Sequence, residues 1–192
     1  MQAKPSDQPI AFMGPPVLID HSATFALAEM PAIALYLGET LGLIPDTPQG
    51  RAMTVKIVND ANDLIDEMTL DGGREMWSAA TWADFLPRLT HWMAIWEDTG
   101  RRSGLGKKDG FLLGTPQPGV ADIVTSTLWT TMGDRFPALA RLLEETAPNT
   151  AALSQRLQAL PALAALRDDT RKRYGDAWCG GQIEQSLRQV AV

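Results

Sequence analysis

The side chains best suited to chemistry in this sequence are two histidines, His21 and His91, and a single cysteine, Cys179. Neither histidine has a cysteine or carboxylate partner at the spacing of a metal site, and no G-x-S-x-G turn is present for a nucleophilic serine. The cysteine follows a tryptophan in a stretch that resembles a tail, where a small incidental residue is the simplest interpretation. The residue types therefore predict neither a metal centre nor a Ser-His-Asp enzyme.

Charge and composition exclude several other classes. The 192 residues carry 23 acidic and 17 basic side chains, a net charge of −6, whereas nucleic-acid binding relies on a surplus of Lys and Arg. The glycines of the loop TGRRSGLGKKDG, residues 99–110, do not fit a phosphate loop. One cysteine, no apolar run of membrane-spanning length and no signal-peptide pattern favour a cytoplasmic protein without membrane contact.

The elements that must position any site are mostly helical. Apolar runs at residues 17–19 and 24–27, separated by a polar turn, predict a β-hairpin. Pro31 opens the following helix and Gly42 marks its end. Two prolines and a glycine at residues 45–50 indicate a boundary, after which three- and four-residue apolar spacing predicts helices at 51–68, 77–96, 120 onward, 136–145, 150–160 and 162–173. Residues 99–110 are predicted to form a mobile connection, and Asp122 to cap the helix that opens at Gly119.

These motifs, in this order, resemble the cytosolic glutathione transferases. The resemblance rests on PPVLID, EMPAIALYL, the linker GLIP and the helix start GVADI, and it spans residues 15–167. It implies a mostly α fold, with a partial thioredoxin-like unit of hairpin plus helix in residues 1–45 and an all-helical C-terminal domain in residues 46–192. The segment VNDANDLIDE, residues 58–67, is similar to the pi, alpha and sigma-like branch of that family.

The resemblance also implies a site for glutathione. Pro16 matches the family's cis-proline, and Pro15 the residue whose backbone binds the cysteine of glutathione. Glu29 and Met30 match the acidic residue and serine at a helix start that binds the γ-glutamyl end, and Asp60 matches an aspartate that reaches the amino group across a homodimer. The sequence departs from the pattern twice, since Pro15 has no N–H to donate and Met30 has no hydroxyl.

Two functions follow from the resemblance. In the family, the Tyr, Ser or Cys that activates the glutathione sulfur precedes this hairpin, and no residue before Pro15 matches it, so the sequence is expected to be a truncated reading of a longer gene. With that part present, the protein would conjugate glutathione to an electrophile that pocket shape selects, with Tyr174 and Trp178 as candidate lining residues. The alternative is a non-catalytic scaffold or docking module that binds a macromolecule instead.

Overall fold

The β-hairpin forms where alternating apolar residues flank a tight polar turn. In the computed structural model, which describes residues 4–8 and 10–192, strands β1 (Val17–Asp20) and β2 (Phe25–Ala28) pair antiparallel, with Val17 opposite Ala28 and Asp20 opposite Phe25. A short 3-10 turn, Pro5–Asp7, precedes them. Helix α1 (Met30–Thr40) follows directly, with Pro31 in its first turn as predicted.

The helical part begins at a proline within the predicted boundary. Thr47 accepts a hydrogen bond from the Gly50 N–H at 3.1 Å and so caps the start of the next helix. The remaining helices are α2 (Pro48–Met68), α3 (Leu70–Gly73), α4 (Ala79–Arg102), α5 (Val120–Arg135), α6 (Pro137–Thr146), α7 (Pro148–Gln158), α8 (Pro161–Tyr174) and α9 (Gly181–Val190). The mostly α fold, an all-helical domain preceded by a hairpin-and-helix unit, is therefore confirmed.

The core lies between α2, α4, α5, α6 and α7. Its largest fully buried side chains include Trp96, Phe136, Leu64 and Met93. The Trp96 ring packs edge-on against Trp129 at 5.4 Å and donates its indole N–H to Thr125 Oγ1 at 3.0 Å. This closes one side of the bundle around α5, the most enclosed helix.

Asp122 stabilises the start of α5 through two backbone hydrogen bonds. Its side chain accepts from the Gly119 N–H at 2.9 Å, which is the predicted half of a capping box, and also from the Leu112 N–H at 2.7 Å. Burial raises the pKa of this carboxyl, and the two backbone N–H groups act against that shift. The second bond ties the loop before α5 to the helix.

The connection after α4 differs from its prediction. Residues 99–102 belong to α4, and the chain leaves the helix only at Ser103. Arg156 then donates to the carbonyls of Lys107 at 2.7 Å and Gly110 at 2.8 Å. The loop lies on the surface and is bonded to α7, which glycine and charge content did not reveal because the bond partner is 46 or more residues away; its mobility stays a prediction.

Helix α9 was not predicted at all. Glu184 on α9 accepts from the N–H groups of Trp178 at 2.8 Å, Cys179 at 3.0 Å and Gly180 at 2.6 Å. Arg188 donates to its other carboxylate oxygen at 2.6 Å. Burial raises the pKa of Glu184, but the hydrogen bonds outweigh burial and lower it to about 2. We call this group the C-terminal clasp: Trp178, Cys179, Gly180, Glu184 and Arg188.

Candidate glutathione site

The head of the hairpin and the start of α1 lie side by side. Val17 pairs with Ala28 at the end of the strand ladder, so the next position on either strand holds Pro16 and Glu29. The Pro15–Pro16 bond is cis, as the sequence analysis predicted for Pro16. Both prolines are exposed, and Pro15 presents a carbonyl but no N–H donor.

The first turn of helix α1 contains backbone N–H groups that make no hydrogen bond. Its first turn holds Met30, Pro31 and Ala32; Pro31 has no N–H, and the Ile33 N–H already donates to the Glu29 carbonyl at 2.9 Å. The N–H groups of Met30 and Ala32 therefore point out at the positive end of the helix dipole, which suits a carboxylate ligand.

Glu29 adopts a backbone conformation that is strained for its residue type. Its φ is 76° and its ψ is 118°, and its side chain makes no capping hydrogen bond to α1. Strained residues that the surrounding structure enforces cluster at ligand-binding sites. Glu29 is exposed, and it directly precedes Met30, whose N–H is free.

Asp20 locks α1 onto the hairpin. One carboxylate oxygen accepts from the Ser22 hydroxyl at 2.6 Å and the Ser22 and Ala23 N–H groups at 2.9 and 3.1 Å, and the other accepts from the Tyr36 hydroxyl at 2.7 Å. The Ser22 and Tyr36 hydroxyls lower the pKa of Asp20 to about 2. This role was not predicted from the sequence, although an aspartate opening a D-x-S turn is a recognisable Asx-turn signal.

Asp60 lies on a different element. It is half-buried on α2 and forms an ion pair with Lys56 one turn earlier. The structure thus brings Pro15, Pro16, Glu29 and Met30 together at one end of the hairpin, and it places Asp60 on α2. The Asp60 role concerns a second subunit and stays a prediction.

Tyr174 and Trp178, the two residues predicted to line the electrophile pocket, differ in their packing. The Trp178 ring packs edge-on against Phe136 at 5.6 Å, whereas Tyr174 is 65% exposed. Trp77 and Trp82 are buried against each other and Phe85, as expected of core residues. Although Cys179 is exposed as a residue, partial burial and the nearby Glu184 carboxylate raise the pKa of its thiol, which is therefore not activated.

The described part of the chain shows neither a metal-ligand cluster nor a membrane-spanning helix. Residues 4–8 and 10–192 contain no group of three or more His, Cys, Asp or Glu placed to hold a metal ion. Within the same residues, none of the helices combines the length and apolar character needed to cross a bilayer.

The fold and the hairpin end define a class of protein, a helical domain joined to a fragment of a thioredoxin-like sheet. Residues 53–190 match the family model for the glutathione S-transferase C-terminal domain. Because the match covers most of the chain, the protein belongs to the glutathione S-transferase family. A search of curated proteins finds no match.

Proposed function

We propose that this protein binds glutathione at the hairpin end and acts as a glutathione transferase-like protein. The main support is the free N–H of Met30 at the start of α1, at the same end of the hairpin as Glu29 and the cis Pro15–Pro16 bond, in a chain whose helical domain is of the glutathione S-transferase type. The γ-glutamyl carboxylate binds the Met30 N–H, and Glu29 faces the cationic amino group. The backbone of glutathione donates to the carbonyls of Pro15 and Pro16.

The proposal extends to the subunit arrangement and to the activation of the glutathione thiol. A cytoplasmic homodimer of the pi, alpha and sigma-like branch would bring Asp60 of one subunit to the amino group of glutathione on the other. Conjugation needs a donor that lowers the pKa of the glutathione thiol, because the thiolate is the nucleophile. We propose that this donor belongs to a thioredoxin-like segment upstream of Pro15, and that the second substrate is a small electrophile.

Titration calorimetry with glutathione tests the binding. Met30→Ser adds a hydroxyl at the first helical position, and one extra hydrogen bond of about 1 kcal/mol strengthens binding roughly fivefold. Met76→Ser, another half-exposed methionine between α3 and α4, is the matched control. No heat from the wild type and from Met30→Ser at millimolar glutathione would reject the site.

A pair of aspartate variants tests the proposed role of Asp60 across the dimer. Asp60→Ala weakens glutathione binding, whereas Asp63→Ala, an exposed aspartate on the same helix, leaves it unchanged. Sedimentation velocity of both variants shows whether they remain dimers. Equal affinities for the two variants would remove Asp60 from the site and leave the hairpin residues in place.

A second function is favoured by exposed apolar side chains on the hairpin and α1. Ile19 is 51% exposed, Phe25 and Leu37 are 40% exposed, and Leu41 is 65% exposed. A scaffold or docking module would bury them against a macromolecular partner. Leu37→Glu would then abolish the association of this protein with that partner or with a second copy while glutathione produced no heat in calorimetry.

A further inference from the structure

A cleft separates α5 from α8. Helix α8 has no buried residue, and the cleft encloses a cavity of about 170 Å³. The α5 side presents residues at helical spacing, namely Thr127, Thr130, Thr131 and Asp134, and the α8 side presents Leu163, Leu166, Arg167, Thr170 and Arg171. Ligand sites commonly combine an apolar lining with a few polar groups, as these two helix faces do.

One ion pair spans the cleft. Arg167 donates from Nε to Asp134 Oδ2 at 2.8 Å and from Nη2 to Oδ1 at 2.7 Å. This bidentate contact neutralises Asp134, the one acidic side chain that lines the cavity. The cleft therefore does not repel an anion at this point.

The threonines of the cleft keep their hydroxyls free. Several other threonines on helices donate to the carbonyl four residues earlier, as Thr54 and Thr90 do. The hydroxyls of Thr127, Thr130, Thr131 and Thr170 make no hydrogen bond to any residue that the structure describes. Four hydroxyl donors thus face a shared space without protein partners.

Two arginines of the cleft lack a close counter-ion. The Arg135 side chain is 6% exposed; its Nε donates to the Ala177 carbonyl at 3.2 Å, and its Nη1 lies 3.7 Å from Asp176 Oδ1. Arg171 is exposed and pairs with no acid among the described residues. With one hydrogen bond and one long ion pair, the nearly buried Arg135 guanidinium retains N–H donors for an anion.

We propose that the cleft between α5 and α8 binds a small anion bearing carboxylate or phosphate groups. Arg171 and Arg135 provide charge-assisted hydrogen bonds, and the threonine hydroxyls donate to the remaining oxygens. An adjoining cavity of about 420 Å³, which shares Thr130 and Arg167 with the first, holds the body of the ligand. Trp129 lines that second cavity, and its Nε1 is a buried donor without a partner in the described chain.

This site is separate from the glutathione site. It uses the C-terminal half of α5 together with α8, whereas the hairpin and the start of α1 form the other site. Variants at Met30 therefore report on one site and variants at Arg171 on the other, so either proposal can fail alone.

The test titrates the ¹⁵N-labelled chain with sodium phosphate and, separately, with sodium succinate, at constant ionic strength. Saturable amide shifts are expected at residues 127–135 and along α8. Arg171→Gln removes a charge-assisted contact and weakens the binding about tenfold. Since the Arg171 side chain makes no hydrogen bond or ion pair with a described residue, its replacement leaves the fold intact, which circular dichroism checks.

Arg173→Gln is the matched control, because this exposed arginine on α8 pairs with Asp169 and does not line the cavity. It leaves the affinity unchanged, and Thr130→Val, which removes one hydroxyl at constant shape, lowers it. Shifts with phosphate alone identify a phosphorylated ligand, and shifts with succinate alone identify a carboxylate. Linear, unsaturated shifts with both anions, or an equal loss in Arg171→Gln and Arg173→Gln, overturn the proposal.

Discussion

Two regions of the molecule contain similar apolar residues but bury them to different extents. They are the hairpin-and-helix unit, residues 15–44, and the helical domain, residues 48–191. In the described chain every buried hydrophobic side chain lies at Ile57 or later, and Gly38 is the one buried residue of the unit. Helix α1 is nonetheless apolar on most sides, with the sequence MPAIALYL. The helical domain therefore encloses its own core, whereas the unit holds apolar surface that only another element can cover.

The largest test of this contrast is a pair of Leu→Ala changes. Leu64 on α2 is fully buried, and Leu64→Ala lowers the free energy of unfolding by about 3 kcal/mol through lost contacts and a cavity. Leu37 on α1 is 40% exposed, and Leu37→Ala lowers it by less than about 1 kcal/mol. Urea denaturation measures both, and equal losses would show that the unit is as well packed as the domain.

A smaller loss in the free energy of unfolding is expected at the C-terminal clasp, which attaches the last helix of the helical domain. Glu184→Gln leaves three backbone N–H groups with a weaker acceptor and costs about 2 kcal/mol. Glu145→Gln, an exposed change on α6, is the control.

The clasp also predicts an acid dependence. Because the pKa of Glu184 falls to about 2 on folding, its stabilisation is complete above the ordinary glutamate pKa of 4.5 and is lost as the pH falls through about 2. Circular dichroism at 222 nm shows the loss of α9 over this range. In Glu184→Gln that acid-induced step should vanish; a step of unchanged size would assign it to another carboxyl.

The smallest effect is local and concerns the attachment of α1. Tyr36→Phe removes the hydroxyl that donates to Asp20, so amide hydrogen exchange in α1 becomes faster while the urea midpoint of the helical domain stays the same. Tyr174→Phe, which alters the other tyrosine of the chain at a 65% exposed position, changes neither. A lowered urea midpoint in Tyr36→Phe would mean that the two regions unfold as one.

The wild type should show the same loosening in acid. The pKa of Asp20 is lowered from 3.8 to about 2, so the contribution of this carboxylate is present above pH 3.8 and disappears as the pH falls through about 2. Hydrogen exchange of α1 at decreasing pH, corrected for intrinsic rates, measures it. Unchanged α1 protection through this range would exclude Asp20 as the attachment.

Sequence reasoning reached most of the fold because prolines and glycines mark the element ends. Pro31, Pro137 and Pro161 all stand in first helical turns. It missed α9, whose short apolar repeat follows two glycines in a stretch that resembled a tail. The four residues at the hairpin end were predicted as neighbours through the family pattern.

Other features depended on contacts that the sequence does not display. The bond from the Leu112 N–H to Asp122 crosses a loop, and the cleft at Arg135 exists only because α8 returns alongside α5. Local periodicity determines a helix and its apolar face, but not which polar residue of a distant helix will oppose it.

One backbone bond joins the two regions. The Leu43 carbonyl accepts from the Val120 N–H at 2.9 Å, and a β-carbon on Gly38 would lie 2.5 Å from the Val120 side chain. A carbonyl is common to all twenty amino acids, so natural variation at position 43 leaves this bond intact. Over evolutionary time position 43 is therefore free to change in composition, while insertions and deletions in the connection, which would move that carbonyl, are the changes that selection should remove.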